Sequence, residues 1–202
     1  MINFNVDPKF KIKKFDDILD LPHTIRVNKF DEQASKEFSQ HFMLAENTAQ
    51  EIIPIIIDSY GGQVYSLLSM VDVIKSSKKK IATIIEGKAM SCGAILFSCG
   101  AEGYRFMGPY STLMIHDVSA GNFGKIEEIK SSAAETERLN KIIYTLMAQN
   151  VGKPDNYFSD IVHQKGHAEW YLTPEEALYH NLANKVGIPK FNIKLSIDVN
   201  FG

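Results

Sequence analysis

The chain reads as an α/β protein built on a largely parallel sheet with flanking helices. Three observations predict this. Short apolar, β-branched runs alternate with stretches whose apolar residues recur at helical spacing, as in repeated βα units. Two of those runs read as buried strands: residues 81–85, apolar and β-branched, and residues 52–57, almost wholly apolar as in a parallel strand covered on both faces. Glycines punctuate the strand ends, at Gly61, Gly62 and Gly87.

The elements follow in order. Residues 1–22 mix Lys and Asp, contain Pro8 and Pro22, and read as an N-terminal arm. Residues 23–27 alternate like a short strand. Asp31 can cap a helix over 32–46, with Ala34, Phe38, Phe42 and Ala45 on one face. In the strand 52–57, Pro54 belongs at the start or at a bulge, because it brings no N–H to a ladder. After Gly61-Gly62, helical spacing restarts at Val64, Leu67, Leu68, Val71 and Ile74. Lys78, Lys79 and Lys80 then close that helix with positive charge. The strand 81–85, bounded by Gly87, leads past Ser91 to a helical apolar run at 94–97. Residues 104–107 and 112–115 read as short strands, and 119–124 as a glycine-containing loop. A long helix over 125–150 is ended by Gly152 and Pro154. Thr173 as cap and Pro174 at the first helical position open a short helix to residue 180, and 185–188 is a last strand. One domain over 23–188 is expected, with a tail over 189–202.

Composition bounds the function. A chain of 202 residues can bury a sizeable core, and 45% hydrophobic with 23% charged residues is ordinary for a globular protein. The net charge of −2 offers no basic surface for nucleic acid or anionic membranes. No apolar run approaches the roughly 18 residues of a membrane span, and the N-terminus has no signal-peptide core. Cys92 and Cys99 read as buried thiols of a reducing compartment, so a cytoplasmic location is expected.

Three stretches carry candidate chemistry. Ser91 lies between a buried strand and a helical run, with Gly87, Ala89, Gly93 and Ala94 around it. Small neighbours let substrate and backbone approach, and a helix start supplies free N–H groups. A serine capping an ordinary βα turn is the bland alternative. Gly61-Gly62 is a strand-to-helix turn whose bare backbone can aim N–H groups at a ligand, or merely turn tightly. It matches neither a phosphate loop nor a dinucleotide fingerprint. His116 ends the strand 112–115 and precedes Asp117; a lone histidine there is often structural. Together the three stretches supply the parts of acyl transfer: nucleophile, base and oxyanion donors. His163 and His167 stand four apart near Glu169, but Gly166 weakens a helix between them and no third ligand has a familiar spacing. They read as surface histidines, and neither metal nor cofactor is expected. Cys92 would sit at a helix N-terminus, where a thiol's pKa falls.

Four motifs, in order, resemble the ClpP family of caseinolytic serine peptidases. The family's SPGG turn is matched by Ser59-Tyr60-Gly61-Gly62. Its GxAxSxGA nucleophile motif is matched by Gly87, Ala89, Ser91, Gly93 and Ala94, and its MIH strand by Met114-Ile115-His116. Its closing pattern is matched by Tyr171-Leu172-Thr173 followed by Glu175-Glu176-Ala177. The resemblance implies a crotonase-like fold with a protruding handle helix, here 125–150. It implies a serine endopeptidase that cleaves unfolded polypeptides inside two stacked rings, a tetradecamer fed by an AAA+ unfoldase. By position, Ser91 is the nucleophile and His116 the base. The backbone N–H groups of Gly62 and Cys92 form the oxyanion hole. The backbone of Gly61 and of Ala120, Gly121, Asn122 and Phe123 holds substrate as an added strand. Where the family has its third triad member, an aspartate, this chain has Glu169. Tyr60 replaces the family's proline and Asp58 its asparagine, and Lys88 and Met90 stand near the nucleophile in place of smaller or neutral residues. Two rivals share the fold. One is a catalytically inactive structural ring subunit, which would usually lack Ser91 or His116. The other is a crotonase-type acyl-CoA enzyme, which would not need both.

Overall fold

The structure, a computed structural model, describes residues 22–190 except 122. The expected arm, apart from Pro22, lies outside the described residues, as do Asn122 and most of the tail. The elements run β1 (Ile25–Val27), α1 (Glu32–Glu46), β2 (Ile52–Ser59), α2 (Val64–Ser76), β3 (Lys80–Met90), α3 (Cys92–Ser98), β4 (Arg105–Met107) and β5 (Thr112–Ile115). They continue with α4 (Ile126–Asn150), α5 (Tyr157–Gln164), β6 (Trp170–Leu172), α6 (Pro174–Tyr179) and β7 (Lys185–Val186). The fold is the expected α/β class, a mostly parallel sheet flanked by helices.

β3 is the spine. One edge pairs in parallel with β2, which pairs onward with β1. The other edge is shared: Thr83–Ile85 pair with β4, and Lys88–Met90 pair with β5. The sheet therefore branches near Gly87, one branch ending in β7 and the other in β6, which alone is antiparallel. The strand was expected to stop at Gly87; it runs on to Met90. Gly87 takes φ 85°, and the β2–β3 register shifts between Ile57 and Ser59, so a bulge absorbs the glycine. That extension carries the chain to Ser91.

Ile53, Ile55 and Ile57 of β2 and Ile81 and Ile85 of β3 lie in a core with Phe38, Phe42, Leu67, Met70, Leu96 and Phe97. Asp31 caps α1 as expected, its carboxylate accepting from the Ala34 N–H at 2.7 Å. Thr173 and Glu176 form a reciprocal capping box on α6, with Pro174 in the first turn. Pro54 is the third residue of β2, neither first nor bulged. It is tolerated because the β1 ladder begins one residue later, at Ile55. The lysines after α2 do not close that helix. Lys79 Nζ donates instead to the Ala45 and Thr48 carbonyls at the end of α1, and Lys80 opens β3. No helix among the described residues is long and apolar enough to cross a membrane.

Candidate active site

Ser91 is the single residue between β3 and α3. Its backbone, φ 55° and ψ −120°, is a conformation non-glycine residues rarely adopt. The strand's final bond fixes this elbow, the Ser91 N–H donating to the Met114 carbonyl at 2.9 Å. Such a strained strand-to-helix turn holds a hydroxyl clear of the sheet, as nucleophile elbows do. Ser91 is half-buried.

The Ser59–Gly62 turn closes directly over it. Ser59 pairs with Ala89, and the Ser59 hydroxyl accepts from the Gly61 N–H at 3.1 Å. A Cβ on Gly61 would sit 2.7 Å from Ser91 Cβ and 3.2 Å from its Oγ, so only glycine leaves room here. Gly62 is held against Phe30, whose carbonyl accepts from the Gln63 N–H at 2.7 Å and would collide with any Cβ on Gly62. The Cys92 thiol donates to the Gly62 carbonyl at 3.3 Å, tying the turn to the start of α3. Two stretches separated by thirty residues of chain thus meet. Burial pushes the Cys92 thiol up to about 11, the reverse of the lowering expected at a helix start. With its side chain 2% exposed, desolvation outweighs the helix end. Cys92 is therefore a neutral packing residue.

His116 follows β5, beside Ser91 at the carboxyl ends of neighbouring parallel strands. It is half-buried. The β5–β6 register pairs Ile115 with Trp170, so the next antiparallel position sets Glu169 across from His116. The Glu169 carboxylate accepts from the Tyr171 hydroxyl at 2.7 Å, and no hydrogen bond among the described residues joins it to His116. Asp117 is engaged elsewhere, accepting from Tyr144 Oη at 2.8 Å and from His167 Nδ1 at 2.6 Å. Burial acts to raise the Asp117 carboxyl, but those hydrogen bonds and the nearby histidines hold it below its ordinary value.

Three departures from the family pattern form one cluster. Lys88 Nζ lies 2.7 Å from Asp58 Oδ1 and 4.2 Å from the Tyr60 ring centroid. The bond to Asp58 raises the lysine's pKa. The sequence flags each residue singly, but their mutual contact depends on the β2–β3 pairing. Ala120, Gly121 and Phe123 are exposed in the segment between β5 and α4. The third partner of His163 and His167, absent from any familiar spacing, is Asp117, about fifty residues away in the chain. A family model described as Clp protease matches residues 16–190, and the chain belongs to the Clp protease family.

Proposed function

We propose that the chain is a catalytically active serine endopeptidase, the chamber-forming subunit of an ATP-dependent protease. The observation that carries this is the convergence on Ser91: a strained elbow, a glycine turn so close that a Cβ on Gly61 would sit 3.2 Å from the Ser91 Oγ, and His116 on the adjacent strand end. In this reading Ser91 Oγ attacks the scissile carbonyl while His116 takes its proton, and later returns it to the leaving amine. The Gly62 and Cys92 N–H groups, neither matched with a backbone acceptor in the turns and caps of the described residues, bind the oxyanion. Glu169, across from His116, turns from Tyr171 to the imidazole and stabilises its charged form. Substrate lies as an extended strand along Gly61 and residues 120–123, bonded through its backbone, which reads little sequence. Chambers of two stacked rings and an AAA+ unfoldase complete the reading, and α4 supplies the ring contact.

An inactive ring subunit is the second reading. It is favoured by the lack of any hydrogen bond among Ser91, His116 and Glu169. Labelling with a fluorophosphonate, read with peptide hydrolysis, separates the two. Wild type is expected to label and to cleave peptides. Ser91→Ala is expected to do neither, with turnover down roughly a thousandfold or more. Cys92→Ala keeps most of its activity. Unlabelled, inactive wild type of full particle mass would establish the structural reading, and full activity in Ser91→Ala would remove the serine assignment.

A further inference from the structure

Asp117, His163 and His167 each offer one ligand atom, and these atoms lie within 4.8 Å of one another. The fold gathers them by a defined path. Asp117 leaves the sheet just beyond β5. α5 ends in a tight left-handed turn, where the Gly166 N–H donates to the His163 carbonyl at 2.9 Å and the His167 N–H to the Val162 carbonyl at 3.0 Å. Gly166 at φ 70° and His167 at φ 61° carry this turn. It folds the His167 ring back over His163, with centroids 4.4 Å apart. From there His167 Nδ1 reaches Asp117 Oδ2 at 2.6 Å. The other carboxylate oxygen is fixed from behind by Tyr144, a buried residue of α4.

We propose that Asp117, His163 and His167 form a binding site for a divalent transition metal of the zinc class. Two imidazoles and one carboxylate suit zinc and its imidazole-preferring neighbours, and a lone carboxylate falls short of the oxygen donors that calcium requires. Three protein ligands leave a fourth position for water. Tetrahedral bonds of about 2.0 Å set ligand atoms about 3.3 Å apart. Asp117 and His167 must therefore open from 2.6 Å, and the wider pairs must close from at most 4.8 Å. Both histidines are exposed and can make that adjustment by side-chain rotation. Tyr144 is the outer partner that keeps the carboxylate aimed.

The position gives the site a consequence. Asp117 directly follows His116, and His167 lies two residues before Glu169. A bound metal clamps the end of β5 to the link between α5 and β6, fixing the backbone on both sides of the His116–Glu169 pair. This consequence rests on the peptidase reading; metal binding itself does not.

The test uses the full chain, stripped with a chelator and titrated with Co²⁺, then competed with Zn²⁺. One Co²⁺ per chain is expected, with visible ligand-field bands that Zn²⁺ erases. The double variant His163→Ala/His167→Ala should lose the bands and weaken Zn²⁺ binding by about a hundredfold. Ser91→Ala should keep both, so failure of the peptidase reading leaves this result intact. Tyr144→Phe should weaken Zn²⁺ binding by about tenfold. In hydrogen exchange, Zn²⁺ should slow the amides of residues 165–169. Absence of bands in wild type, or bands unchanged in the double variant, overturns the site. Stoichiometric binding without protection of 165–169 overturns the clamp.

Discussion

His116 and Glu169 each stand one position beyond the last bonded pair of β5 and β6, and the Glu169 carboxylate bonds Tyr171. Water competes for the carboxylate at this exposed site, so the hydroxyl holds it weakly and an imidazolium forming opposite can displace it. Glu169→Gln keeps the size and removes the charge. Peptide turnover should fall by roughly a hundredfold with KM little changed, because the anion acts as the imidazolium forms. Unchanged turnover would leave a Ser91–His116 pair working without an acid. At this scale the sequence was legible where neighbours in the chain do the work. Ser91, its small flanking residues and the glycine pair are local signals, because a strained turn has to be built from adjacent residues. The Lys88–Asp58–Tyr60 cluster and the Asp117–His163–His167 group were not legible, since their members meet only once strands and helices have paired.

Among the elements, α4 divides into two halves. Leu139, Ile143, Tyr144, Met147 and Ala148 are buried in the C-terminal half, whereas Ile126 and Ile129 near its start are 71% and 44% exposed. Apolar residues on an uncovered helical turn mark a surface that another copy can cover. Ile126→Glu/Ile129→Glu should therefore release smaller particles in sizing and light scattering while the circular dichroism stays native. Ile143 would be a poor probe, because a charge there breaks the core. Undiminished particle mass in the double variant would exclude this end of α4 from the proposed ring contact. Helix periodicity predicted α1 and α4 to within a residue or two, because each buries apolar residues at helical spacing, whereas α2 ends at Ser76, short of the lysines expected to close it. The sheet's branching was invisible. β3 continues past Gly87 because β5 is there to bond it, and three-residue β6 has too few residues to show a period. Arg105 was also missed as a core residue. Its fully buried guanidinium binds the carbonyls of Gly100, Asn181 and Leu182, acceptors that only the folded chain assembles.

Across the whole molecule, stability should carry a mark of His180. Its Nδ1 lies 2.8 Å from the Tyr157 hydroxyl, and its ring meets Trp170 edge-on at 4.8 Å. Burial pushes its pKa below the ordinary 6.5; Lys153 and Lys165 act in the same direction and Glu176 against it. The folded state then binds a proton less readily than the unfolded state. The stabilisation is whole above about pH 6.5 and is lost as the pH falls through the lower folded value. Thermal midpoints should therefore decline from about pH 7.5 to about pH 5.5, and His180→Gln should flatten part of that decline. An identical slope in the variant would assign the decline to other groups. The sulfur chemistry carries a practical consequence. The chain has two cysteines, both free, both buried, and both pushed up to about 11 by burial. Near neutral pH neither presents a thiolate to solvent. A cysteine placed at an exposed position such as Ser131 would be the one reactive thiol of the folded protein. It would take a fluorophore without background, letting energy transfer between labelled copies test in real time whether they assemble.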